Sequence, residues 1–242
     1  MLLGIISDIH SNLEALQVVL GQLGQMEKII CLGDIVGYGP NPNECTEIIQ
    51  EKNIISIAGN HDKAAVGELD TRWFNDQAKK AIAWTSTQLT PSNQQYLKEL
   101  PLTLEFTDFQ IVHGGLGNPL EEYISNLSEA LGTFALMEKQ LCFVGHSHNP
   151  LIVAEQMDGQ YTCCDLADKQ VVFTDDYKKI IINVGGVGQP RDGDPRASFG
   201  VYDSEKKEFT LQRIAYDIET VQAKMETVGL PENLITRLSY GK

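Results

Sequence analysis

Residues 2–10 read Leu-Leu-Gly-Ile-Ile-Ser-Asp-Ile-His. LLGIIS (2–7) is a continuous apolar run, the mark of a strand buried on both faces. It ends abruptly in an Asp-x-His pair. The next segment, Asn12 to Leu23, places Leu13, Leu16, Val19, Leu20 and Leu23 at helical spacing, with Ser11 or Asn12 as cap and Gly24 as stop. KIICL (28–32) repeats the apolar run and ends in Gly33-Asp34. A Gly-, Pro- and Asn-rich loop (33–43), a helix at about 44–51 and a third apolar run, IISIA (54–58), complete a βαβαβ opening. Parallel strands with right-handed crossovers follow from that order.

Beyond residue 62 the pattern is helical to about 100, with FNDQAKKAIAWTSTQL (74–89) and a helix opened by Pro91-Ser92. From 102 onward, short strand candidates dominate: LTLEF and FQIVH around a turn at Thr107-Asp108, then LCFVG, LIVAE, QYTCC, QVVFT, IIINV, SFGVYD and KEFTLQRI. A helix at about 128–138 interrupts them, and helix returns from about 217. The reading is α/β, one domain over 1–242, with a partly parallel sheet from the first half, a more antiparallel one from the second, and C-terminal helices packed on it.

The chain of 242 residues is 42% hydrophobic and 21% charged, ordinary for a chain with a sizeable core. Its net charge of -14 disfavours polymeric nucleic acid and anionic membranes as partners. A small phosphorylated substrate stays open, because a bound metal inverts the local field. No segment approaches a membrane span, and MLLGIISDIH lacks the basic flank of a signal peptide. Of five cysteines, Cys31 and Cys142 lie inside apolar runs and read as core. Cys163-Cys164 is a vicinal pair whose side chains point to opposite faces of a strand. A reducing, cytoplasmic setting is expected.

The chain has five histidines. All lie just past the ends of apolar runs: His10 after the first, His61 in Gly59-Asn60-His61-Asp62, His113 in FQIVHGG, and His146 and His148 in FVGHSHNP. A lone loop histidine is usually an ordinary polar residue. Five of five at strand ends, each beside a Gly or Asp, is not explained that way. Ligands of open α/β sheets gather outside the carboxyl ends of the strands. On an extended chain, residues two apart point the same way, so Asp8 with His10, and His146 with His148, are expected to serve one cavity. Imidazole, carboxylate and amide donors without thiolate suit Mn, Fe, Zn, Co or Ni. Asp8, His10, Asp34, Asn60, His113, His146 and His148 exceed one tetrahedral ion and suffice for two divalent metal ions if a carboxylate bridges. Two ions about 3.5–4 Å apart clamp the attacking and leaving oxygens in phosphoryl displacement.

In order, DxH, GDxxxxG, GNHD, HGG and GHSH resemble the calcineurin-like metallophosphoesterase family, over residues 8 to 148. The resemblance implies a four-layer α/β/β/α sandwich with two mixed β-sheets and a dinuclear site. Asp8, His10, Asp34 and His148 would hold the first ion, Asn60, His113 and His146 the second, and Asp34 would bridge. A metal-bridging hydroxide would attack phosphorus. His61 would be the general acid near the leaving oxygen, oriented by a carboxylate. The serine/threonine protein phosphatases of the superfamily carry arginines in their GDxVDRG and RGNHE blocks. Here Tyr38 and Ala58 stand in those places, and Asp62 replaces the glutamate. That departure, with GDIVGYGPNPNEC and VGQPRDGDPR, makes the chain more similar to small prokaryotic phosphodiesterase-like members. The implied substrate is a phosphodiester or nucleotide-like molecule. The alternatives are a phosphomonoesterase or protein phosphatase, a dinucleoside polyphosphate hydrolase, or a metal-binding scaffold without catalysis.

Two further features remain open at this level. In NVGGVGQPRDGDPR (183–196), Arg191 or Arg196 would contact a substrate phosphate, with Asn60 and His61, or both arginines would pair with Asp192 and Asp194. Trp73, Phe74 and Trp84 are core or lid residues, or line a pocket. Tyr38 and Tyr123 suit its rim.

Overall fold

The structure is a computed structural model that describes residues 1–242. The strands are β1 (Leu2–Ile6), β2 (Lys28–Cys31), β3 (Ile55–Ser56), β4 (Thr103–Glu105), β5 (Phe109–Val112), β6 (Leu141–Val144), β7 (Leu151–Gln156), β8 (Tyr161–Asp165), β9 (Val171–Phe173), β10 (Tyr177–Asn183), β11 (Ala197–Asp203) and β12 (Glu208–Ile214). The helices are α1 (Leu13–Gln22), α2 (Pro42–Glu51), α3 (Asn60–Ala65), α4 (Asp76–Gln88), α5 (Pro91–Glu99), α6 (Leu127–Leu136), α7 (Ile218–Thr227) and α8 (Glu232–Thr236). Side-chain oxygens of Asn12, Asn75, Thr90 and Asn126 cap α1, α4, α5 and α6 by accepting from the first turn's backbone N–H groups.

One sheet has the order β3-β2-β1-β11-β12-β9, the other β4-β5-β6-β10-β7-β8. Both sheets are mixed, as expected, but they do not divide into a partly parallel one from the first half of the chain and a more antiparallel one from the second. Each sheet joins a parallel trio (β1–β3; β5, β6 and β10) to antiparallel strands. The reason is the free edge of β1. β11 returns to pair with it, Leu2 opposite Asp203 through Ile5 opposite Gly200. β3 is also shorter than the apolar run 54–58, because Ala58 N–H turns away to the Pro101 carbonyl at 2.8 Å.

The continuous apolar runs are explained by three separate cores. Between the sheets lie Leu3, Ile5 and Ile30 from the first and Ile111, Phe143, Ile180 and Ile182 from the second. The alternate residues Ile6 and Cys31 face outward into a core with Leu16, Val19, Ile49, Ile82 and Val221 from α1, α2, α4 and α7. On the far side, Val112, Cys142, Val144 and Ile181 pack against Ala130 and Phe134 of α6. Three cores separate four layers, helix–sheet–sheet–helix, so the central strands β1, β5, β6 and β10 are buried on both faces. The carboxyl ends of β1, β2, β3, β5 and β6 open at one end of the sandwich, and the candidate residues Asp8, His10, Asp34, Asn60, His61, His113, His146 and His148 lie on the segments that leave them. No helix is long and apolar enough to cross a membrane.

Candidate metal centre

The DxH and HSH pairs are not on extended chain. β1 ends at Ile6 and β6 at Val144, and the backbone then turns left-handed at Asp8 (φ 54°), His10 (φ 48°), Asp34 (φ 53°), His146 (φ 66°) and His148 (φ 59°). These five make up half of the ten non-glycine residues with positive φ. Few such residues occur outside turns, and their concentration at one place marks strain held by the surrounding structure. So strand alternation does not aim these side chains. The turns do, pinned by neighbours: Asp8 N–H bonds Gly33 O at 3.1 Å, and His10 N–H bonds Asp34 O at 2.9 Å. Asn183 Nδ2 holds Gly145 O at 2.6 Å and Ser147 Oγ at 3.0 Å. Gly59 is required by proximity, since a Cβ there would sit 2.0 Å from Asp34 Oδ1.

The donors form two groups that share Asp34. One is Asp8, His10, Asp34 and His148; the other is Asp34, His113 and His146. Within each group the ligand atoms lie within 4.8 Å of one another, and every residue is buried. Asn60 Oδ1 joins the second, 3.1 Å from His113 Nε2. Each aspartate has one oxygen fixed and one turned inward. Asp8 Oδ2 accepts from His146 N–H at 3.1 Å, while its buried Oδ1 has no hydrogen-bond partner and lies 3.2 Å from His148 Nε2. Asp34 Oδ1 accepts from His61 N–H at 2.8 Å, while Oδ2 stands 3.6 Å from His10 Nε2 and 3.4 Å from His113 Nε2. A single oxygen thus faces both groups.

The imidazoles identify what belongs between them. His10, His113 and His148 each set Nδ1 against a carbonyl: Val36 O at 3.2 Å, Leu32 O at 2.9 Å and Gln189 O at 2.5 Å. A carbonyl only accepts, so Nδ1 carries a proton in all three and Nε2 is the nitrogen turned inward, with its lone pair free in neutral His10 and His148. His10 Nε2 and His148 Nε2 then face each other at 3.0 Å, lone pair to lone pair. Burial, the largest influence on both, pushes their pKa values down, so a proton between them is disfavoured. A cation fits that arrangement.

The charges point the same way. Burial opposes ionisation of Asp8 and Asp34, yet His148 beside the first and His113 beside the second hold both below the usual carboxylate range. Burial also works against charging His113, but Asp34 overrides it and lifts the ring to about 9. A proton on His113 Nε2 therefore occupies the place a cation would take. His61 falls to about 4, through burial first, and His146 also falls.

These shifts set an acid limit on the metal-free protein. Histidines with depressed folded pKa values stabilise the fold fully above about 6.5 and lose that contribution as pH falls, for His61 through about 4. His113 has the opposite sign: its contribution is full below about 6.5 and is lost as pH rises through about 9. Between pH 6.5 and 4.5 four depressed rings (His10, His61, His146 and His148) lose their contribution, while the Asp62 carboxyl, pushed up to about 7 by burial and then by Asp34, gains one, and on balance the chelator-treated protein is expected to lose a few kcal/mol. Urea unfolding across that range measures it, and a flat profile would contradict the assignment of neutral rings.

His61 belongs to neither donor group. Its Nδ1 is buried against Gly37 without a hydrogen-bond partner, leaving Nε2 as the nitrogen that can reach the cleft. No carboxylate orients it, contrary to expectation. Asp62 instead accepts from Val36 N–H at 3.1 Å and Gly59 N–H at 2.9 Å, tying the two ligand loops together. The His61 ring is held by aromatic neighbours, Tyr38 at 4.3 Å and Phe74 at 5.1 Å between centroids. Above it, a cleft of about 250 Å³ is walled by Tyr38, Trp73, Phe74 and Tyr123, with Asn60 and His61 among its lining. Trp73 and Phe74 therefore line this cleft, whereas Trp84 packs against the helix-side core and borders a separate pocket with Gln77 and Lys80. Tyr123 also stacks on His146 at 3.8 Å, a contact that no sequence signal announces.

The loop 184–196 divides between its two readings. Val187 N–H and Gly188 N–H bond Ser7 O and Asp8 O, both at 2.9 Å, so the loop closes over the first ligand turn. Arg196 pairs with Asp194 at 2.6 Å and Asp168 at 2.9 Å, away from any substrate role. Arg191 pairs with no carboxylate; its guanidinium carbon lies 5.7 Å above the Tyr38 ring. Cys163 and Cys164 are exposed on the edge strand β8.

A family model described as the calcineurin-like phosphoesterase superfamily domain matches residues 1–207. An uncharacterized protein from Methanocaldococcus jannaschii is 37% identical over 245 residues, covering all of this chain and 98% of that one. A metallophosphoesterase from Sphaerobacter thermophilus of known structure is 42% identical, with a TM-score of 0.91 over 100% of this chain and 99% of its own. A hypothetical protein from Pyrococcus horikoshii OT3 shares the fold at 21% identity, with a TM-score of 0.82 over 100% and 98% of the two chains.

Proposed function

The chain belongs to the calcineurin-like phosphoesterase superfamily, and from that premise we propose that it is a dinuclear, divalent-metal-dependent phosphoesterase hydrolysing a small phosphodiester or nucleotide-like ester. The observation that carries this reading is Asp34 Oδ2, one carboxylate oxygen within 3.6 Å of imidazole nitrogens from both donor groups. Asp8, His10, Asp34 and His148 would hold one ion, and Asn60, His113, His146 and Asp34 the other. The donor set suits Mn, Fe, Co, Ni or Zn. When bound, such a pair supplies Lewis-acid chemistry: it lowers the pKa of water towards about 7 and offsets phosphate charge.

The chain's own residues supply the rest. Asn60 lies on the cleft floor as well as in the second donor group, so it borders the substrate. His61 is the general acid. In the empty cleft burial keeps it neutral, and an anionic phosphate beside Nε2 raises its pKa, so the proton is loaded together with substrate. Four aromatic walls provide flat apolar surface for the organic part of the ester. Tyr38, in place of an arginine, leaves no bidentate grip beside the histidines for a terminal dianion, which favours diesters. Arg191 is the cation nearest that wall and contacts substrate phosphate.

The test is metal analysis of the purified protein, followed by parallel assays of a phosphodiester and a phosphomonoester with Mn²⁺, Ni²⁺ and Zn²⁺ added. Two ions per chain and faster diester turnover are expected. A monoester preference would overturn the diester reading. Filled sites without turnover of either would indicate a metal-binding scaffold.

A further inference from the structure

The aromatic walls of the cleft over His61 differ in what they are free to do. Tyr38 and Phe74, each 6% exposed, pack against the His61 ring and are spent on holding it. Trp73 and Tyr123 form the outer walls, 43% and 42% exposed. Each is fixed by a neighbour: Trp73 stands edge-on to Phe74 at 4.6 Å between centroids, and Tyr123 stacks on His146 at 3.8 Å. Large aromatic surface left open beside a buried polar site marks a ligand groove.

The lining also selects the ligand. None of the eight lining residues is Asp, Glu, Lys or Arg. Asn75 Oδ1 is occupied, accepting from Ala78 N–H at 2.9 Å, so Nδ2 is the half of that amide left to donate into the cleft. A volume of about 250 Å³ is below the roughly 300–1,000 Å³ of sites that enclose a whole ligand. The cleft therefore suits one uncharged planar group with a hydrogen-bond-accepting edge, as a nucleobase has, and not a second phosphate.

Position decides which part of the ester that group belongs to. In an in-line displacement the leaving oxygen departs on the side of phosphorus opposite the attacking one. His61 Nε2, the nitrogen that reaches the cleft, is therefore on the leaving side, and the aromatic walls stand with it. We propose that the cleft seats the departing alcohol, and that this alcohol is a nucleoside whose base stacks against Trp73 and Tyr123. This rests on reading the ligand cluster as a phosphoesterase site and names its substrate class: an ester that releases a free nucleoside and leaves the phosphate on its other substituent. A water oxygen bonds to phosphorus, and the bond from phosphorus to the nucleoside oxygen breaks with its electron pair on that oxygen. The His61 Nε2 proton moves to it, and the proton that water gives up restores His61.

The seat is tested first without turnover. Chelator-treated full-length protein is titrated with adenosine while tryptophan emission is followed; Trp73 and Trp84 are the two tryptophans of the chain. Quenching is expected in the wild type and in Trp84→Phe, and its loss in Trp73→Phe. In the Trp84→Phe background, Tyr123→Ala should weaken adenosine about tenfold. No quenching in the wild type, quenching that survives Trp73→Phe, or affinity unchanged by Tyr123→Ala would overturn the seat. The second arm uses metal-loaded protein and the methyl ester of adenosine 5′-phosphate, whose two ester oxygens belong to primary alcohols of similar leaving ability. Adenosine with methyl phosphate should exceed adenosine 5′-phosphate with methanol by about tenfold or more. Trp73→Ala and Tyr123→Ala should each pull that ratio towards one, which a general loss of rate does not do. Predominant release of methanol, or a ratio unchanged in both variants, would overturn the leaving-group assignment. So would hydrolysis of bis(p-nitrophenyl) phosphate with none of the methyl ester. If the wild type with its metal sites filled cleaves neither, the phosphoesterase reading fails and the leaving-group assignment with it, while the adenosine titration still decides the seat.

Discussion

Replacing Asp34 with Asn is expected to release both metal ions in one step. Asp34 is the residue common to both donor groups, and its Oδ2 faces His10 on one side and His113 on the other. The amide keeps the shape and an oxygen that can still accept from His61 N–H, so the loops on either side remain tied. What it removes is the negative charge. Without it the first group retains only Asp8 as an anion, and the second group has none. Because ligand affinity for a divalent ion depends on that charge, affinity at both positions should fall by more than about 100-fold, beyond the 10–100-fold typical of outer partners. Elemental analysis after dialysis, alongside circular dichroism to confirm folding, measures it. Retention of two full equivalents would refute the bridge.

The second large effect concerns the proton. His61→Gln should leave metal content near wild type and lower kcat by roughly 10²–10⁴-fold, the usual contribution of a positioned acid. The structural grounds are that His61 contributes no ligand atom to either donor group. Its one tie to the cluster, the backbone N–H to Asp34 Oδ1, survives any substitution. Glutamine fills much of the space between Tyr38 and Phe74 but cannot transfer a proton from the Nε2 position. Unchanged turnover on several substrates would remove His61 from the chemistry. Loss of metal together with rate would make it a structural support instead.

Much of this site was legible before any fold was built, for a physical reason. Strands buried on both faces have no polar positions to spare, so LLGIIS, KIICL, FQIVH and LCFVG stand out as apolar runs, and polar residues just past them lie at one end of a sheet. Six of the seven donor residues are brought together by those ends, and Asn60 joins them from the segment after β3. The reason given for their aim was wrong, however. Alternation along an extended chain was expected for Asp8 with His10 and His146 with His148, and left-handed turns are found. Periodicity describes regular backbone; it says nothing about residues beyond the last ladder bond. The division into sheets failed similarly, because a strand's own residues do not reveal that β11 fills the open edge of β1.

Residues that act from a distance in sequence were the least legible. The carboxylate expected to orient His61 is not found, and the neighbouring Asp62 ties Val36 to Gly59. Asn183 holds the turn of the GHSH block through Gly145 and Ser147, 38 and 36 residues away. Arg191 and Arg196, five residues apart in one loop, were indistinguishable in sequence; the structure separates them by whether an aspartate lies within reach.

The central claim is that two ions share Asp34. Anomalous diffraction from crystals of the Mn²⁺-loaded protein tests it most directly. Two peaks about 3.5–4 Å apart are predicted, one within ligand distance of Asp8, His10 and His148, the other of Asn60, His113 and His146, with Asp34 touching both. A single fully occupied peak, or two peaks of which one lies beyond ligand distance of Asp34, would contradict it.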